Sequence, residues 1–142
     1  MELQKSDFKV NTPVQIRFND IDGLGHVNNS VYSQYFDQGR MHYFNILNNN
    51  QPVDWHDARL IIASTHTDFL RPIFLDEQIE VLSKVYKLGN KSLKMFQHLA
   101  DKETGEVKAT CKSVMVGFDP NTNQSLQLAD RWRSAIEGFE GL

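Results

Sequence analysis

The sequence predicts an α+β domain in which one long helix lies on an antiparallel sheet. Three observations carry this reading. Residues 29–47 show an amphipathic pattern of helical period, and most of the remainder alternates polar and apolar residues in short runs. Turn signals, Gly89-Asn90 and Asp101-Lys102-Glu103-Thr104-Gly105, join those runs as hairpins. The 142 residues contain no repeat, low-complexity tract or Pro/Ser-rich linker, so a single domain over 1–142 is expected.

The first strand is expected over 10–18, where Val14, Ile16 and Phe18 alternate with Gln15, Arg17 and Asn19. A loop follows over 19–29, with Gly23 and Gly25 free to take positive φ. The helix then runs from 29 to 47. At about 100° per residue, Val31, Tyr32, Tyr35, Phe36, Gly39, Tyr43, Ile46 and Leu47 fall within roughly 160° of the wheel. Met41 and Phe44 stand off that stripe. Asn28 or Asn29 can cap the first turn, and Asn48-Asn49-Asn50 with Pro52 ends the helix.

Strands follow over 59–70, 77–88, 92–100 and 106–118. Ile79, Val81 and Val85 share one face, as do Leu93, Met95 and Leu99, and then Val107, Ala109, Cys111 and Met115. Val114, Val116 and Phe118 make the end of the last strand apolar on both faces, which suggests a subunit contact there. Ala129, Trp132, Ile136 and Phe139 stand at helical spacing and predict a closing helix.

Fifteen basic and eighteen acidic side chains give a net charge of −3 without a run of five or more like charges, which argues against general nucleic-acid binding. A single cysteine forms no internal disulfide and suits a reducing compartment. The opening MELQKSDFKV lacks a signal-peptide apolar segment, and no stretch of about 18 apolar residues exists. A cytoplasmic protein with no membrane partner is expected.

Chemistry concentrates between Asp20 and Asn29, where two acids, a histidine and two asparagines precede the helix. A carboxylate beside the positive end of a helix suits attack on a carbonyl whose oxygen gains negative charge. Asp22 can equally be an Asx-turn acid, and Asn28 and Asn29 can equally be caps. His42, His56, His66 and His98 show no metal-ligand spacing, and the usual nucleotide and hydrolase loops are absent. Neither a metal nor a cofactor is expected. Arg40, at the edge of the helix stripe, is expected to pair with a buried acid.

The segment 17–44, RFNDIDGLGHVNNSVYSQYFDQGRMHYF, resembles the signature of the 4-hydroxybenzoyl-CoA thioesterase family. Asp20-x-Asp22, Gly25, His26-Val27-Asn28-Asn29, Tyr32, Tyr35-Phe36 and Arg40 ahead of Tyr43-Phe44 carry the match, and Asp68-Phe69-Leu70-Arg71-Pro72 extends it. The resemblance implies a hot-dog fold, a long helix wrapped by a curled antiparallel sheet of about five strands. It implies hydrolysis of an acyl-CoA to a carboxylic acid and free CoA, in a homodimer or homotetramer. Asp22 matches the catalytic carboxylate, as nucleophile or general base, and the backbone near Asn29 would receive the thioester oxygen. Asp20 would support the loop. Asn28, Tyr35 and Lys91 fall where substrate is bound, Lys91 at a position that contacts CoA. The HVNN run also resembles plant acyl-ACP thioesterases, which would give His26 a catalytic role. Leu24 stands where those enzymes carry an Asn. A hot-dog dehydratase would need an N-P-x-H run, which this chain lacks. A non-catalytic acyl-CoA-binding domain is the remaining alternative.

Overall fold

A computed structural model describes residues 2–142. β1 (Val10–Val14) leads through a loop to α1 (Asn29–Leu47). A one-turn helix, α2 (Trp55–Ala58), precedes β2 (Leu60–Phe69), β3 (Ile79–Leu88), β4 (Ser92–Asp101) and β5 (Val107–Asp119). A short β6 (Gln124–Leu126) and α3 (Asp130–Glu140) complete the chain. The strands form one antiparallel sheet in the order β1-β3-β4-β5-β2, with β6 on the end of β5. The sheet does not close, so β1 and β2 are its edges. Among the described residues no helix is long and apolar enough to cross a membrane.

α1 has the expected bounds, and Asn28 is its cap: the side-chain oxygen accepts from Ser30 N–H at 2.9 Å. The inward faces of β3, β4 and β5 also follow the alternation, with Val81, Val85, Leu93, Met95, Leu99 and Ala109 all fully buried. Gly39 permits the closest helix–sheet approach, since a Cβ there would lie 2.4 Å from Val81 Cγ1. α1 packs on β1, β3 and β4 and leaves the inner face of β2 largely uncovered.

Several expectations are corrected. The first strand stops at Val14, because 18–20 coil into a 3₁₀ turn and Phe18 points into solvent, 80% exposed. Phe44 lies in the core despite its place on the wheel. Trp55 of α2 and Trp132 of α3 pack edge-on against its ring, at 5.4 and 5.6 Å between centroids. Periodicity within one helix could not foresee two other helices covering its second side. β5 is not an edge: β2 flanks it on one side and β4, continued by β6, on the other. The open edge is β2, whose residues are mostly exposed. Arg40 pairs with Asp37, an exposed acid one turn away, rather than with a buried one. The sheet also gains β6, one strand beyond the five expected.

Candidate active site

The loop between β1 and α1 is a small hairpin fastened at both ends. Ile21 and Val27 form an antiparallel bridge. Inside it, Asp22 N–H donates to His26 O at 3.0 Å and Gly25 N–H to Asp22 O at 3.0 Å. Asp22 Oδ1 accepts from Leu24 N–H at 2.9 Å, an Asx turn. Gly25 has φ +87°, a conformation an L side chain rarely adopts. Asn28 N–H donates to Asp20 O, and Val27 N–H to Ile73 O at 2.8 Å, so the hairpin is also tied to the segment after β2.

Asp20 fills the role expected of a supporting acid. It is nearly buried, and its Oδ2 accepts from Arg17 N–H at 2.9 Å and from Tyr35 O–H at 2.6 Å. Tyr35 therefore sits in the core with its hydroxyl committed to Asp20. Burial, then the adjacent Asp20 carboxylate, push the Tyr35 phenol well above its ordinary range, so it stays a donor.

At the start of α1, Ser30 N–H is taken by the Asn28 side chain and Val31 N–H by Asn28 O. Asn29 N–H is the first-turn amide left without an acceptor among the described residues. Asn29 lines a cavity of about 220 Å³ together with His26, Tyr32 and the 69–72 segment. His26 Nδ1 lies 3.3 Å from Val27 O; with the proton on Nδ1 that contact is a hydrogen bond, and Nε2 is left as an acceptor. Phe69 packs edge-on against Tyr32 at 5.1 Å, and Tyr32 O–H reaches Arg71 O at 3.4 Å. Burial raises the Tyr32 phenol above its usual range.

His26, Asn28 and Asn29 thus meet at the helix start, with Asp22 one backbone hydrogen bond away from His26 and outside the cavity wall. Lys91 is not brought to them. It is exposed at the β3–β4 turn, with Nζ 3.3 Å from Ser125 Oγ, at the sheet end opposite the helix start. Phe69, Leu70, Arg71 and Pro72 were legible in the sequence only as a strand stop, though their motif was part of the resemblance. Among the described residues no cluster of three or more His, Cys, Asp or Glu could hold a metal ion.

Comparison with known proteins matches residues 16–136 to the thioesterase-like superfamily. Over 96% of this chain and 97% of the other, the fold superposes on a thioesterase from Thermus thermophilus solved with coenzyme A and Zn. That pair is 31% identical with a TM-score of 0.84. The long-chain acyl-CoA thioesterase FadM of Escherichia coli (strain K12) is 24% identical over 129 residues, spanning 89% of this chain and 96% of FadM. The uncharacterized protein YsmA of Bacillus subtilis (strain 168) is 27% identical over 132 residues, 93% of this chain and 88% of YsmA.

Proposed function

The chain belongs to the thioesterase-like superfamily, with the hot-dog fold and thioester-hydrolase activity of that family, and on this premise we propose a mechanism for acyl-CoA hydrolysis centred on Asp22. The observation that supports it is the unpaired Asn29 N–H, set at the positive end of α1 beside a cavity and next to the Asp22 hairpin. The thioester carbonyl oxygen accepts from Asn29 N–H and gains negative charge as its carbon is attacked. The Asp22 carboxylate either adds to that carbon, expelling the CoA thiolate and leaving an anhydride that water cleaves, or takes a proton from an attacking water. Either way water and thioester yield a carboxylic acid and free CoA. Asn28 shapes the helix start, and His26 steadies the hairpin while offering Nε2 to the cavity.

We read the working unit as a homodimer joined along β2. An edge strand of ten residues, eight of them exposed, with Ile61 and Ile62 each more than 40% exposed and only His66 and Asp68 ionisable, would otherwise invite uncontrolled pairing. Antiparallel pairing of two such edges lays one protomer's Lys91 end alongside the other's helix start. Lys91 could then meet the CoA phosphates that its own chain cannot offer it. The buried free thiol of Cys111 suits a reducing cytoplasm.

Free-thiol release from a panel of short, long and aromatic acyl-CoAs tests this reading. Asp22→Asn should lower turnover by a factor on the order of 10²–10⁴ while the protein stays folded, and His26→Ala should cost less. Near wild-type turnover in Asp22→Asn with an inactive His26→Ala would transfer the chemistry to the histidine. Turnover of acyl-ACP but of no acyl-CoA would favour the carrier-protein reading that the HVNN run suggests.

A further inference from the structure

α1 and β2 run in opposite directions. The cavity at the helix start lies where Tyr32 of α1 meets Phe69 of β2. A second cavity, of about 270 Å³, lies between the later turns of α1 and the first residues of β2. Its wall is apolar, formed by Met41, Trp55, Leu60, Ile62 and Met115, except for Arg40 and the neighbouring Asp37.

Arg40 is only 4% exposed, and its three nitrogens have different fates. Nη1 donates to Asp37 and Nη2 to Gln97 Oε1 at 3.1 Å, whereas Nε has no acceptor among the described residues. Below it a polar strip crosses the inner sheet face. Ser83, Gln97, Cys111 and Thr67 stand in register across β3, β4, β5 and β2. In the adjoining row, Ser113 Oγ is also buried without a partner, and its neighbour Thr65 is exposed on the open edge. A buried donor without an acceptor is costly, and the residue that carries it lines an otherwise apolar cavity, a setting that fits a ligand that is mostly hydrocarbon with one oxygen.

We propose that this far cavity is an acyl subsite in which Arg40 selects acyl groups bearing a hydroxyl or keto oxygen, a specificity that rests on the thioesterase reading above. A neutral oxygen is preferred over a second carboxylate, because Asp37 already balances the guanidinium charge. The distance from Asn29 to Arg40 is about 16 Å at the helical rise of ~1.5 Å per residue. An extended chain covers that span in about a dozen bonds. The oxygen therefore belongs near the far end of a medium-to-long acyl chain.

The test compares kcat/KM for two acyl-CoAs of about twelve to fourteen carbons, one with an ω or ω−1 hydroxyl and one without. The wild-type protein should prefer the hydroxylated chain by about tenfold or more. Arg40→Lys keeps a cation beside Asp37 but removes the planar Nε donor, and it should bring the ratio close to one. A role confined to stability would lower both substrates together and leave the ratio intact. Ile62→Trp, which fills the cavity from β2 without altering Arg40, should shift the chain-length optimum toward shorter acyl groups and erase the hydroxyl preference. Hydrolysis with no wild-type preference, or with a ratio that both variants leave unchanged, overturns the subsite alone. Hydrolysis of no acyl-CoA at all overturns the thioesterase reading and the subsite with it.

Discussion

Two carboxylates two residues apart have opposite surroundings. Asp20 is held inward by Arg17 N–H and Tyr35 O–H, while among the described residues Asp22 accepts only the turn amide of Leu24, through Oδ1. One acid is spent on shape, and the proposed chemistry falls to the other. A similar contrast separates the histidines. His26 sits at a cavity beside the helix start, whereas His98 is packed between the rings of Phe8 and Phe96 at 4.9 and 5.1 Å. Burial holds the His98 imidazole below its ordinary value of 6.5, so the folded state resists its protonation. Glu80 and Lys5, which line the same outer-face cavity, are paired with each other at 2.8 Å. Stability from His98 should be complete above pH 6.5 and be lost as pH falls below it toward the depressed folded value. Denaturation midpoints at pH 7.5 and 5.5 should therefore differ more for the wild type than for His98→Phe. An equal difference in both would show that the imidazole titrates freely.

At the level of elements, α1 is set by its contact with the sheet rather than by helix propensity. Gly39 lies mid-helix, where alanine would be favoured by about 1 kcal/mol on propensity alone. Its missing Cβ would lie 2.4 Å from Val81 Cγ1 and 3.0 Å from Gln97 Nε2, both in the packed interior. Overpacking of this kind costs about 1–3 kcal/mol, so Gly39→Ala should lower the denaturant midpoint despite its helical advantage. A stabilised Gly39→Ala would mean that α1 can lift from the sheet without penalty. α3 fixes the opposite end of α1: Glu140 accepts from Tyr43 O–H at 2.7 Å and from Val85 N–H at 2.9 Å, beside the bulge in β3.

For the whole molecule, the helix lies off the centre of the sheet. β1, β3 and β4 are covered, and β2 presents an edge, a bare inner face and the apolar side chains Ile62 and Phe69 to solvent. One chain thus leaves a groove with one side missing, and a second copy across the β2 edge would supply it. Light scattering at micromolar concentration should give at least twice the 16.4 kDa chain mass. A monomer of 16.4 kDa would leave the groove open and end the shared-site arrangement.

Local periodicity was enough to define α1 from Asn29 to Leu47 and the inward faces of β3, β4 and β5, because side-chain direction in a helix or strand repeats at short range. The cluster at Asp20 to Asn29 was legible for the same reason, since caps, tight turns and neighbouring carboxylates act within a few residues. Distances of dozens of residues decided the rest. Phe44 is buried because α2 and α3 return to it, and the open edge is β2 rather than β5 because strand order is set by pairing across the sheet. Lys91 is separated from the helix start, and Arg40 is enclosed with one nitrogen unpaired, because the chain is closed into a sheet with one helix on it. Such contacts carry no periodic signal; they arise where separately formed faces meet, and only their packing selects which polar atoms are left without a partner.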